Sequence, residues 1–226
     1  MAQRRHHYEN AFERYLRARR IPYVSVDEAR KALLPDGASL VAPSAEPPGQ
    51  PGVRPGRALK SFDFVVYGEG GNLLLDIKGR KIARRPGSPA PARSRLDSWA
   101  TIDDVDGLLT WRALFGSGFD AALVFVYWCD DQPPDGLFQE VFEFQGRWYA
   151  VRAVLLDAYR AAMKTRSAKW RTVHVPTDAF EKISQPFCAA PGEPLWRGLE
   201  GGSPTPGPRN GPRGALQPRT GPISSG

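Results

Sequence analysis

Asp63, Asp76 and Lys78 are the side chains of this sequence best placed to do chemistry. They stand in the run Ser61-Phe-Asp63-Phe-Val-Val-Tyr-Gly-Glu-Gly-Gly-Asn72-Leu-Leu-Leu-Asp76-Ile-Lys78-Gly-Arg-Lys81, which reads as two apolar strands joined by a Glu-Gly-Gly-Asn turn. The strands of a hairpin run antiparallel, so the start of the first lies beside the end of the second. Asp63 and Asp76 are thereby brought to one end of a sheet. Asp76 and Lys78 are two residues apart on one strand and share a face. A strand-end cap explains Asp63 alone, and a snorkelling edge residue explains Lys78 alone. The three together form a metal-and-nucleophile arrangement, because buried acids without a cation are costly.

This pattern resembles the PD-(D/E)XK nuclease superfamily, whose signature is an Asp on one strand and an acid-x-Lys on the next. Asp63 matches the first acid and Asp76-Ile77-Lys78 the second half; Phe62 stands where the name-giving Pro would be. The resemblance covers residues 5–128 and is silent on 130–185. It implies a restriction-endonuclease-like fold and a Mg²⁺-dependent phosphodiester hydrolase, with Mn²⁺ able to substitute. Mg²⁺ prefers carboxylate, carbonyl and water oxygens, which Asp63, Asp76 and the Ile77 carbonyl would supply. Lys78 would orient or activate the attacking water or neutralise the scissile phosphate. Many family members add a Glu from the first helix, and Glu9 fits, with Phe12 and Leu16 at the following apolar positions; Glu13, one turn on, is the fallback.

Several elements must position these groups. Tyr8, Ala11, Phe12, Tyr15 and Leu16 form an apolar stripe predicting a helix over residues 3–20, stopped by Pro22. A short strand at 21–26 and a helical turn at 27–34 follow. Thr101 and Asp104 read as a capping box opening a helix with Val105, Leu108, Leu109, Trp111, Ala113 and Leu114, which stops at Gly116 and Gly118. Residues 120–128 are nearly continuously apolar, the mark of a strand buried on both faces. An antiparallel pair is expected at 138–144 and 146–155 around Gln145-Gly146, then a helix at 156–165, a strand at 170–175 and a helix at 177–183. The fold class is α/β: a mixed β-sheet flanked by helices.

The chain has 226 residues, 41% hydrophobic, enough for one domain with a sizeable core. The Pro/Gly-rich stretches 35–58 and 186–226 are expected to be a disordered insert and tail, leaving residues 1–185 as the nuclease-like domain. The net charge of +7 suits a polyanionic partner. Residues 78–95 carry seven Lys/Arg and no acid beside the candidate site. Taken alone that is a solvated basic loop; next to paired carboxylates, Arg80, Lys81, Arg84 and Arg85 become phosphate-backbone contacts. Ser167, Lys169 and Trp170 are a second candidate contact surface. Trp99, Trp111 and Trp128 read as core, His6 and His7 as residues at the start of the first helix, and His174 as an ordinary strand residue. The two cysteines, Cys129 and Cys188, form no disulfide framework or zinc pattern. No apolar stretch reads as a signal peptide or membrane span, so a cytoplasmic protein is expected.

The leading functional expectation is thus a metal-dependent nuclease acting on DNA, in restriction, repair or junction processing. A homodimer is implied only if both strands are cut together. The competing class is a catalytically silent nucleic-acid-binding protein on the same fold. A third is a metal-dependent enzyme acting on another phosphate ester.

Overall fold

The computed structural model describes residues 3–33, 59–68, 71–82, 96–129 and 140–188. The expected insert at 35–58, Arg84 and Arg85, and the tail from 189 onward lie outside the described residues. Helix α1 (Gln3–Ala18) leads to strand β1 (Tyr23–Ser25) and helix α2 (Val26–Leu33); β2 (Phe64–Val66) and β3 (Asn72–Ile82) follow. Next come β4 (Ala100–Thr101), α3 (Ile102–Phe115), β5 (Phe119–Cys129), β6 (Val141–Phe144) and β7 (Arg147–Leu155). The chain closes with α4 (Leu156–Ala162), β8 (Lys164–Ser167), β9 (Thr172–His174) and α5 (Thr177–Ile183).

Six strands form the main sheet in the order β1-β2-β3-β5-β7-β6. The β1–β2–β3 meander is antiparallel, and β5 returns through α3 to pair parallel with β3. Helix, three strands, helix, strand is the order expected of the restriction-endonuclease-like mixed α/β fold. Strand alternation assigns the two faces. Phe64, Val66, Leu73, Leu75, Ile77, Val124 and Val126 pack with Ala11, Phe12, Tyr15 and Leu16 of α1. Val65, Leu74, Leu123, Phe125 and Tyr127 pack with Val105 and Leu108 of α3, Leu156 and Tyr159 of α4, and Phe180 of α5. β5 is buried on both faces, as its unbroken apolar run requires.

Two local signals hold and three expectations differ. Gln145 and Gly146 both take positive φ in the two-residue turn between Phe144 and Arg147, the geometry that suits the twist of a tight hairpin. Thr101 Oγ1 accepts from the Asp104 N–H at 3.1 Å and an Asp104 oxygen accepts from the Thr101 N–H at 2.7 Å, the expected capping box. The helix expected to reach 165 ends at Ala162, where Met163 turns extended and the chain enters β8. β8 joins β9 and β4 in a second, three-stranded sheet that the sequence reading does not contain. The chain is also packed beyond 185: Phe187 is fully buried, and Glu140 accepts backbone N–H bonds from Phe187 and from Cys188, the latter at 2.8 Å.

Gly79 is where α1 and β3 touch most closely. A Cβ built there would lie 2.1 Å from the Tyr8 ring. Gly79→Ala is therefore expected to cost about 1–3 kcal/mol through overpacking, measured as a lower midpoint in urea unfolding. A Tyr8→Ala background should recover part of that loss by vacating the space.

Candidate active site

The β2–β3 register pairs Phe64 with Leu75 and Val66 with Leu73. Asp63 directly precedes this ladder, near enough to Asp76 for that charge to act on its carboxyl. The Asp63 N–H donates to the Leu75 carbonyl at 2.8 Å, and an Asp63 carboxylate oxygen accepts the Ile77 N–H at 2.6 Å. The carboxylate thus caps the edge of β3 where β2 ends. N–H and C=O of one strand residue point to the same edge, so the Ile77 carbonyl lies on this edge too.

Burial, then the charge of Asp76, then Glu9 hold the Asp63 carboxyl well above the usual carboxylate range, against the pull of the Ile77 N–H and Lys78. Asp76 is buried at 6% exposure. Burial pushes its carboxyl up and Lys78 pulls it back; the net direction is upward. Lys78 Nζ lies 2.7 Å from one Asp76 oxygen and 3.1 Å from an Asp104 oxygen on α3. Burial opposes the ammonium, but the two carboxylates outweigh it and hold Lys78 above the ordinary lysine range. Lys60 also pairs with Asp104.

Asp104 is the component that the sequence reading assigns only to helix capping. It is 4% exposed and held down to about 2: burial opposes ionisation, but Lys78, Lys60 and the Thr101 N–H prevail. A depressed carboxyl stabilises the fold above its unfolded pKa and loses that contribution as pH falls through the folded value. The shift from 3.8 to about 2 corresponds to about 2 kcal/mol. Asp104→Asn should therefore be about 2 kcal/mol less stable than wild type at pH 7. Urea unfolding should show that gap closing between about pH 4 and pH 2.

The remaining candidates fall at different distances from this centre. Glu9 is near enough for its charge to raise Asp63. Glu13 is engaged elsewhere, accepting from Tyr23 Oη and Arg17 at 2.6 Å each. Arg80 shares the Asp76 and Lys78 face, but its guanidinium lies 4.0 Å from the Trp99 ring centroid and donates to the Gly79 carbonyl at 2.7 Å. Lys81 is exposed and sits 4.4 Å over the Trp128 ring. Trp99 and Trp128 thus carry cations rather than serving only as core.

Among the described residues, no three His, Cys, Asp or Glu side chains are grouped to hold a metal ion between them. The donor chemistry nevertheless fits a hard divalent cation. Asp63 and Asp76 are near neighbours with proton affinities raised by burial, and a cation relieves that condition without a proton. Among the described residues, no helix is long and apolar enough to cross a membrane.

No family model matches the sequence, and no curated protein does. Among solved structures, the chain is similar to the 1.6 Å structure of Hjc, a Holliday junction resolvase from the archaeal hyperthermophile Archaeoglobus fulgidus. That match has a TM-score of 0.41 and 12% identity, covering 80% of this chain and 93% of that one. What the site does is read from its own side chains.

Proposed function

We propose that this protein is a metal-dependent nuclease hydrolysing phosphodiester bonds in DNA, with its catalytic centre at Asp63, Asp76 and Lys78. The observation that carries this reading is two interacting buried carboxylates at the end of the β2–β3 ladder, with a lysine held charged beside one of them. Asp63, Asp76, the Ile77 carbonyl and Glu9 would hold Mg²⁺, or Mn²⁺ in its place. When bound, the ion supplies a more acidic water and a Lewis acid for a phosphoryl oxygen.

The protein's own groups divide the remaining work. The Ile77 N–H fixes the Asp63 carboxylate against the β3 edge, so one of its oxygens is already committed to orientation. Lys78, paired with two acids, keeps its proton at neutral pH and acts as a fixed positive charge rather than a base. Such a charge suits a phosphorane that gathers negative charge as the water attacks. Asp104, which also pairs with Lys60, holds that ammonium from the side of α3. The net charge of +7 supports a polyanionic substrate.

The test is cleavage of supercoiled, linear, single-stranded and branched DNA in Mg²⁺ and in Mn²⁺. Wild type is expected to cleave in either ion and not in chelator, and Asp76→Ala to fall to background. Folded wild type inert on every substrate in both ions would overturn the proposal and favour a binding role. Activity on nucleotides but not on DNA would favour the phosphate-ester reading.

A further inference from the structure

The β8–β9 hairpin is the feature that the catalytic reading leaves unused. Residues 164–171 carry Lys164, Arg166, Lys169 and Arg171 and no acid. At their tip Trp170 is 72% exposed, the most exposed large apolar side chain among the described residues. Burying a tryptophan side chain is among the larger stabilising contributions available to a fold. One held in water on a hydrogen-bonded turn is placed for a partner. Two hydrogen bonds close the turn: the Trp170 N–H donates to Ser167 Oγ at 3.3 Å and the Arg171 N–H to the Ala168 carbonyl at 3.2 Å. Arg171 takes a positive φ of 48° to close it.

The hairpin is also fastened to the catalytic centre. Thr172 pairs with Thr101, the cap of α3, and the Ile102 N–H donates to the Arg171 carbonyl at 2.9 Å. The Arg171 side chain meets Asp103 at 3.2 Å. The next residue, Asp104, grips Lys78. Trp170 is thus connected to the catalytic lysine through one helix terminus. Arg166 and Arg171 are spent on Asp97 and Asp103. Among the described residues, Lys164 and Lys169 have no acidic partner.

We propose that this hairpin is a second nucleic-acid contact, with Trp170 stacking on an unpaired base while Lys164 and Lys169 meet the adjoining phosphates. Its partner is DNA that exposes bases near the cut: a single-stranded arm or a branch point, rather than continuous duplex. Aromatic side chains flanked by cations bind single strands in this way, since every base has a stacking face and every nucleotide a phosphate. This deepens the nuclease reading and rests on it for the identity of the polymer.

The experiment is fluorescence anisotropy, without divalent metal, of a labelled branched duplex with a single-stranded arm and of a blunt duplex of equal length. Trp170→Ala, Trp170→Phe and Lys164→Gln/Lys169→Gln are compared with wild type. Stacking on one base by alanine substitution is typically about 5- to 100-fold in affinity. Trp170→Ala should lose binding to the branched DNA in about that range while changing blunt-duplex binding less than about twofold. Trp170→Phe should retain most of the affinity, and the double Lys variant should flatten the salt dependence. Unchanged branched-DNA binding in Trp170→Ala, equal losses on both DNAs, or no wild-type binding would each overturn the proposal. Wild type that binds branched DNA through Trp170 but never cleaves it would overturn the nuclease reading and leave the hairpin assignment standing.

Discussion

Lys78→Met should destabilise the protein by about 3–5 kcal/mol at pH 7 and abolish cleavage. Its ammonium is the nearest cation to Asp76, whose carboxylate is buried and receives the lysine at 2.7 Å. Removing it leaves Asp76 with only the weaker pull of Lys60 in a site where burial already favours the protonated acid. Asp104 suffers less, because Lys60 still pairs with it. The penalty should shrink as pH falls, since Asp76 then takes up a proton and no longer needs the missing charge. Urea unfolding from pH 8 to pH 4 measures this directly. A Lys78→Met/Asp76→Asn double variant should be more stable than Lys78→Met alone, because it removes the orphaned charge as well. A loss that is independent of pH, and undiminished in the double variant, would show that Lys78 acts through packing of its aliphatic stem.

The placement of Asp63 near Asp76 and Lys78 is legible in the sequence because it is local. Asp63 and Asp76 meet through a hairpin, and a hairpin's register follows from two short apolar strands and a glycine-rich turn. The capping box is legible for the same reason, since Thr101 and Asp104 act within one helical turn. The second task of Asp104, holding a lysine 26 positions earlier, depends on how α3 docks against β3. No short-range pattern encodes that docking. Arg80 shows the same gap: it belongs to a basic run suited to phosphates, yet strand alternation turns it inward onto Trp99. Burial there lowers its pKa. The second sheet is invisible for another reason. β4 has two residues, and β8 is Lys-Thr-Arg-Ser, too short and too polar for alternation to register.

The opposite sign is expected for Asp63→Asn: cleavage lost, stability gained. An acid whose folded pKa lies above its unfolded value costs stability when ionised, so the cost is present above the folded pKa and absent below the unfolded one. Asp63 is such an acid, raised by burial and by the charges of Asp76 and Glu9. Asparagine keeps an oxygen to accept the Ile77 N–H, which Asp63 now receives at 2.6 Å, and removes only the charge. Thermal unfolding at pH 8 should rise by about 1 kcal/mol, or about 3 °C for a domain of this size. The gain should vanish as pH falls toward about 4, near the unfolded carboxylate value. Mg²⁺ gives an independent readout of the same charge. At tenfold excess over its Kd, an ion that binds only the folded protein adds about 1.4 kcal/mol. That shift belongs to wild type and should be largely lost in Asp63→Asn, so the two proteins converge in stability as Mg²⁺ is added. If Asp63→Asn instead melts lower than wild type at pH 8, the carboxylate is a structural anchor of the β3 edge. The strain read from the neighbouring acids would then belong to Asp76 alone.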